Sequence, residues 1–404
     1  MNDPRRDSER DAAPEVRPVR PSRKPARRAG PVRVILYATL CLAVLLFVIG
    51  FVTYRDRLTA DTFAGVLSQL RTAFGGELEE TSDAFAYDDY MLTRFAVFQK
   101  GLALLSDSRL VLYGPSGRQT YAADCFLKEP GLAVSDRTVL AYDRGGTSLL
   151  WADAHATLSA RTWPDVLFHA SMNPRGDTVI VSRERGSSSV VTVLNARFDE
   201  VFKWYSSNLY VLDAVLSSSG KRLCVVSAGQ EGGQFLGRVL LFDTGAAAPL
   251  LRVDLPDVLP LAVRALSPDL FCVVTGSELL FYSGDGAAAG TYAFGARSLL
   301  TFDAGDEFMA VCLGDTDRVG GRPELLTVSS NGPRASVFLD GTPDALSAEG
   351  RFVGLLSAGA ARIYDADLTP IGQALPDEAA QYLLMRADGS ALLLAQNGSR
   401  VYRP

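Results

Sequence analysis

Residues 385–402 read MRADGSALLLAQNGSRVY: a polar turn ending at Gly389, an apolar run from Ala391 to Ala395, a second turn at Asn397-Gly398 and a short closing strand. The same shape recurs upstream as LSAEGRFVGLLSAGAARIYD (346–365), LSSSGKRLCVVSAG (216–229) and MNPRGDTVIVSRERG (172–186). From about Ala84 onward, apolar runs alternate with Gly, Asp, Asn, Pro or Ser turns and carry no sustained helical period, which is the pattern of short antiparallel strands. The turn glycines Gly176, Gly220, Gly305, Gly350 and Gly389, with Ser267-Pro268-Asp269 between the second and third, recur at a spacing that fits one four-stranded unit per repeat.

Such a unit buries both faces only between neighbours, so the expected architecture is a closed ring of blades. Quartets begin near Arg94, Cys125, Val166, Leu209, Val258, Ser298 and Pro343. The last stretch supplies three strands. Residues 84–91, AFAYDDYM, lack a hairpin mate and are expected to complete the final blade, removing two unpaired sheet edges. The fold predicted over 84–404 is therefore all-β, a β-propeller of eight four-stranded blades, or seven if the final segment joins the first blade.

Ahead of it the composition changes twice. Residues 1–33 carry ten Arg or Lys, are rich in proline and hold almost nothing apolar, so they read as a disordered basic tail. Val34 to Tyr54 is a run of twenty-one residues without a charge, long enough at about 1.5 Å per residue to cross a bilayer core. A cleaved signal peptide would have a shorter apolar region and a small-residue cleavage site. The basic cluster Arg17, Arg20, Arg23, Lys24, Arg27, Arg28 and Arg33 predicts a cytoplasmic N-terminus and an extracytoplasmic propeller. Residues 55–83 read as a juxtamembrane segment, in which Phe63, Val66, Leu67, Leu70 and Phe74 mark an amphipathic helix and ELEETSD a linker.

The pieces LSSSGKRLCVVS, LSPDLFCVVTG and LSAEGRFVGLLS resemble the Ser-Pro-Asp-Gly repeats of WD-like bacterial periplasmic propellers. The layout of basic tail, one span and propeller resembles a domain-of-unknown-function family of anchored propeller proteins from Gram-positive gut anaerobes. That resemblance implies a fold and a location, and it carries over no catalytic residue. The Trp-Asp ending of true WD repeats is missing here.

Chemistry is sparsely provisioned. The chain has two histidines, His155 and His169, in adjoining blades without a Glu or Cys at ligand spacing, so surface or turn histidines are expected and no metal or cofactor is implied. DADLTP at 365–370 and GDTDRVGG at 314–321 lack the ligands of a calcium loop. Ser218 and Lys221 form an S-x-x-K, but on a hairpin turn and not at a helix start; GDGAAAG at 284–290 reads as a strand connection and not a dinucleotide loop. Cys41 falls in the apolar span, Cys224, Cys272 and Cys312 occupy equivalent strands of successive blades as small core residues, and Cys125 has no evident mate. Residues 82–404 hold 27 basic and 36 acidic side chains, a net of −9 without a basic stripe, which argues against nucleic acid.

Two functions remain open. A ring of repeats without a catalytic constellation suits a binding or scaffolding module for a cell-envelope protein or glycan. The alternative is a glycan hydrolase or lyase using acids that converge on the channel mouth, with Asp88, Asp89, Asp315 and Asp317 among the candidates.

Overall fold

The computed structural model describes residues 84–87, 94–267, 269–315, 321–375, 380–396 and 398–404, without the side chain of Asp315. The tail, the expected span and the juxtamembrane segment lie outside the described residues, as do Asp88, Asp89 and Asp317. Among the described residues no helix is long and apolar enough to cross a membrane.

The chain folds into eight four-stranded antiparallel sheets. Blades 1 to 7 occupy 94–124, 130–162, 167–206, 209–256, 260–293, 297–338 and 343–374; blade 8 takes three strands from 382–402 and its outer strand from Ala84–Ala86. The expectation of eight blades holds, and so does the closure. Ala84 pairs with Arg400, Phe85 with Ser399 and Ala86 with Gly398. The Tyr87 hydroxyl reinforces the join by hydrogen-bonding the carbonyls of Ala395 and Gly398 at 2.8 and 2.7 Å.

Burial explains why the ring is needed. Second strands such as Gly101–Leu105 are buried along their whole length, whereas fourth strands such as Pro249–Pro256 alternate between exposed and half-buried. A second strand must therefore be covered on both faces, which a lone sheet cannot do. Eight hydrophobic clusters result, one in each seam between neighbouring blades. The closing seam is built like the others: Phe85, Leu392 and Leu394 of blade 8 pack on Leu102 and Leu104 of blade 1.

Because each blade has an even number of strands, every first strand runs in the same direction, and first strands of successive blades lie against one another around the axis. The ring thus has two distinct ends. One, the turn face, carries the turns between first and second and between third and fourth strands. The other, the connection face, carries the second-to-third turns and the links between blades. The recurring glycines sit on the turn face, where Gly176, Gly220, Gly350 and Gly389 have φ of 92, 73, 59 and 86°, a region costly for residues with a Cβ. Gly305 is needed for a different reason. A Cβ there would stand 2.4 Å from the Phe308 ring and 2.8 Å from the Gly350 carbonyl of the next blade.

Candidate binding face and channel

The first strands of blades 3 to 7 each contain an irregularity in register at a corresponding point: between Leu167 and His169, Val211 and Asp213, Pro260 and Ala262, Leu299 and Thr301, and Pro343 and Ala345. A bulge leaves one residue without a partner across the ladder and turns its side chain out of the alternation. In three successive blades that residue is a leucine left exposed on the innermost strand: Leu212, Leu261 and Leu300 are 39, 41 and 44% exposed. Tyr210 on blade 4 and Tyr382 on blade 8 are also exposed, near the starts of their first strands. Tyr382, Phe95 and Tyr87 form a run of aromatic rings with centroid spacings of 5.7 and 5.6 Å.

All of these groups lie on or toward the connection face. The blade-to-blade links add Phe126, Val166, Leu259 and Leu375, and the ends of outer strands add Tyr205 and Phe338. Of the exposed large apolar side chains, Leu158, Val201, Leu250 and Ile371 belong to the turn face. An apolar surface collected at one end of a ring is the feature that marks a recognition surface on a soluble domain.

In blades 3, 4 and 6 the residue that follows the bulge is polar, His169, Asp213 and Thr301, whereas in blades 5 and 7 it is Ala262 and Ala345. His169 and Asp213 occupy corresponding positions in blades 3 and 4, and His169 Nε2 lies 3.0 Å from Asp213 Oδ1. Asp213 also accepts from the backbone N–H of Ala214 at 2.8 Å and, across the next seam, from the N–H of Val263 at 3.1 Å and Arg264 Nη1 at 3.2 Å. Burial works to raise the Asp213 carboxyl, but His169, Arg264 and the Val263 N–H together hold it below the ordinary carboxylate range. Asp303 repeats the arrangement in blade 6, accepting from Ala304 N at 2.9 Å and from Ala348 N of blade 7 at 2.8 Å. There burial prevails, and the Asp303 carboxyl is raised. Asp303 ties the first strands of two blades together, and Asp213 those of three.

At the turn face the channel is acidic. Glu349 is raised by burial and by the nearby carboxylates of Asp306, Asp303 and Asp136. Beside this end, between blades 6 and 7, a groove of about 670 Å³ is lined by Phe308, Arg334, Arg351, Phe352, Asp365 and Asp367 among others. Its charges are partly neutralised within the groove, since Arg334 pairs with Asp367 at 3.0 Å and lies over the Phe308 ring.

Several sequence expectations can be placed. His155 is in the exposed turn after the third strand of blade 2, as expected, but His169 is on a first strand and half-buried, because the bulge before it rotates it toward Asp213. The S-x-x-K is the first turn of blade 4 and GDGAAAG joins the third and fourth strands of blade 5. Asp365 closes its own turn, accepting from the N–H groups of Asp367 and Thr369 at 2.9 and 2.8 Å. Cys125, Cys224, Cys272 and Cys312 are buried free thiols, with Cys224, Cys272 and Cys312 in three successive seams. Burial pushes the Cys125 thiol up to about 11 and that of Cys312 up to about 12, so both stay protonated and unreactive near neutral pH. The acids gathered near the channel, Asp136, Asp303, Asp306 and Glu349, are not those named from sequence. Cys41 lies outside the described residues, as does the Asp315 side chain.

Comparison with known proteins adds a fold and a family. The crystal structure of BamB from Moraxella catarrhalis superposes with a TM-score of 0.53 at 12% identity, covering 80% of this chain and 99% of that one. Lower TM-scores are obtained with a chain of the mitotic checkpoint complex (0.48, 13% identity, 82% of this chain and 98% of that one) and with the β-propeller domain of Myceliophteria thermophila Cps50 (Swd1) (0.45, 11% identity, 79% and 98%). At such identities the likeness is one of fold. No curated protein sequence matches the chain. Residues 79–332 match the model of a family of unknown function, DUF5711, and since that is more than half of the sequence, the chain belongs to this family.

Proposed function

We propose that the protein is a membrane-anchored, extracytoplasmic binding module that holds a protein partner of the cell envelope on its connection face. The observation that carries this reading is the set of bulged leucines, Leu212, Leu261 and Leu300, left exposed on the innermost strands of three successive blades, with Tyr210 and Tyr382 exposed at the same end of the ring. A bulge forfeits ladder hydrogen bonds, and exposing leucine there gains no burial, so neither feature serves the fold by itself. Aromatic and aliphatic groups around a concave centre suit the apolar anchor of a protein better than a sugar, which would require many more hydrogen-bonding groups.

The anchored reading is consistent with the direction of the closing strand. The chain enters the ring at Ala84 and runs toward the connection face at Ala86, so the turn face receives the chain from upstream. The basic cluster at 17–33 supports a cytoplasmic N-terminus and an extracytoplasmic propeller.

A photoreactive amino acid at Leu212 or Leu300 of the full-length chain, irradiated in living cells, tests the proposal. A discrete protein adduct, at least tenfold weaker when the probe is moved to Leu250 on the turn face, is the expected result. Adducts to glycan alone, or equal labelling from both faces, would overturn it. Protease added to intact, wall-stripped cells tests the location separately: the propeller is cut and the tail spared, whereas a protected propeller would reverse the orientation.

A further inference from the structure

We infer that two copies of this chain meet turn face to turn face, the basic half of each channel mouth seated on the acidic half of the other. The turns between first and second strands surround the mouth at this end of the ring. At these turns blades 1 to 4 carry Lys100, Asp136 with Arg137, Arg175 and Lys221. Blades 5 to 8 carry Asp269, Asp306 with Glu307, Glu349 with Arg351, and Asp388. All of these side chains are exposed. One half of the mouth is therefore basic and the other acidic.

The ring does not neutralise these charges itself. Among the described residues only Arg175 of this set is in an ion pair, a loose one of 4.0 Å with Asp177. Asp177 is buried and engaged within its own blade, accepting from Asn173 Nδ2 at 3.0 Å and from the Ala196 N–H at 3.1 Å. Arg175 also donates to the Ser219 carbonyl of blade 4 at 2.7 Å, which holds its charge along the face. Opposite charges kept apart in this way create a field that orients an incoming partner.

A face divided between two signs is complementary to a copy of itself turned over. The twofold axis lies in the turn face along the line between the halves, through the seam of blades 4 and 5 and that of blades 8 and 1. It sets blade 4 on blade 5, 3 on 6, 2 on 7 and 1 on 8. Lys221 then meets Asp269, Arg175 meets Asp306 and Glu307, and Lys100 meets Asp388. Blades 2 and 7, whose turns hold both signs, meet each other, with Arg137 on Glu349 and Asp136 on Arg351. Any other twofold in this plane lays at least one turn on a turn of its own sign. A polyanion or a polycation would use only half of the pattern, whereas a second copy uses all of it. Both connection faces point outward in such a pair, so the inference is independent of the partner proposed for that face.

The test uses the full-length chain in membranes, with Cys41→Ser to remove that thiol. Copies carrying Lys221→Cys are co-expressed with copies carrying Asp269→Cys, and mild oxidation is expected to give a disulfide-linked product of twice the chain mass. Phe126→Cys, on the connection face, should give at least tenfold less; an equal yield overturns the inference. Charge reversal provides the second arm, read by co-purification of an untagged copy with a tagged one. Lys221→Glu or Asp269→Lys alone should cut it at least tenfold, since each sets like charges opposite one another at two places. Co-expressed, the two variants restore both contacts and should recover it. Failure to recover, or undiminished co-purification of Asp269→Lys with itself, overturns the inference. Both positions are exposed turn residues, so neither substitution disturbs the packed seams.

Discussion

Asp213 Oδ1 and His169 Nε2, 3.0 Å apart, join the first strands of blades 3 and 4, while Asp213 Oδ2 holds Val263 and Arg264 of blade 5. One carboxylate therefore bridges three blades. Asp213→Asn keeps the size and loses the charge, leaving Arg264 and two backbone donors less well satisfied, and is expected to destabilise the ring by about 2–4 kcal/mol at pH 7. The folded-state carboxyl is lowered, so its stabilisation is full above the unfolded value of about 3.9 and is lost as pH falls through the lower folded value. Urea titrations at several pH values should show the variant's deficit shrinking below about pH 4. An equal deficit at pH 3 and pH 7 would mean that packing, and not charge, is responsible.

Arg386 gives the opposite sign. It is 3% exposed, lies over the Phe85 ring, and has Nε and Nη2 without a hydrogen-bond partner. Burial lowers its affinity for the proton. Replacing this side chain by an apolar group of like length removes a desolvation cost that the nearby Asp388 carboxylate only partly offsets, so Arg386→Met is expected to stabilise the protein by about 1–3 kcal/mol. A drop in the urea midpoint would show that the guanidinium has a structural role.

The closing strand can be weighed by one substitution. Phe85 is 1% exposed in the seam between the last blade and the first. Phe85→Ala should cost about 3–5 kcal/mol. Hydrogen exchange should then accelerate first in Gly398–Tyr402 and Gly101–Leu105, the strands that Phe85 pairs with or covers; uniform acceleration around the ring would show that the seams do not open separately.

Glu349 tests the acidic end of the channel. Its carboxyl is raised by burial and by Asp306, Asp303 and Asp136, so its ionised form opposes folding once the pH exceeds the folded value. Glu349→Gln should raise stability at pH 7 by up to about 1 kcal/mol, since the carboxyl is sheltered on one side but keeps contact with solvent, which screens it. The gain should vanish below about pH 4, where both states bind the proton. Thermal melts at pH 7 and pH 4 separate this from a simple gain in packing.

Blade boundaries were legible because each turn carries residues chosen for local backbone reasons, as at Gly176, Gly220 and Gly389, and those signals survive without knowledge of the fold. The closing strand was legible by subtraction: three strands at one end require one at the other. The bulges were not. An extra residue such as Leu212 within LYVLDAVL looks like any apolar position, and only pairing with Arg222–Glu231 reveals that it has no partner. His169 and Asp213 stand 44 positions apart, and their contact depends on both strands being bulged at the same height, so spacing along the chain carried no trace of it. The acids near the channel were missed for the same reason, since Asp136 and Asp306 come from turns of two blades and Glu349 from the end of a first strand in a third.

The order in which the ring is made follows from the pairing of Ala84–Ala86 with Gly398–Tyr402. Among the described strands, the outer strand of blade 8 leaves the ribosome first, and its mate is the last to leave. At about 5–20 residues per second, the intervening stretch takes roughly 15–60 s to synthesise. During that interval seven blades can assemble in sequence while the blade at each end of the growing arc keeps one apolar sheet face uncovered. A nascent chain of this kind is committed to its topology by its first strand and completed by its last, and any premature termination before residue 398 leaves an open arc and not a smaller ring.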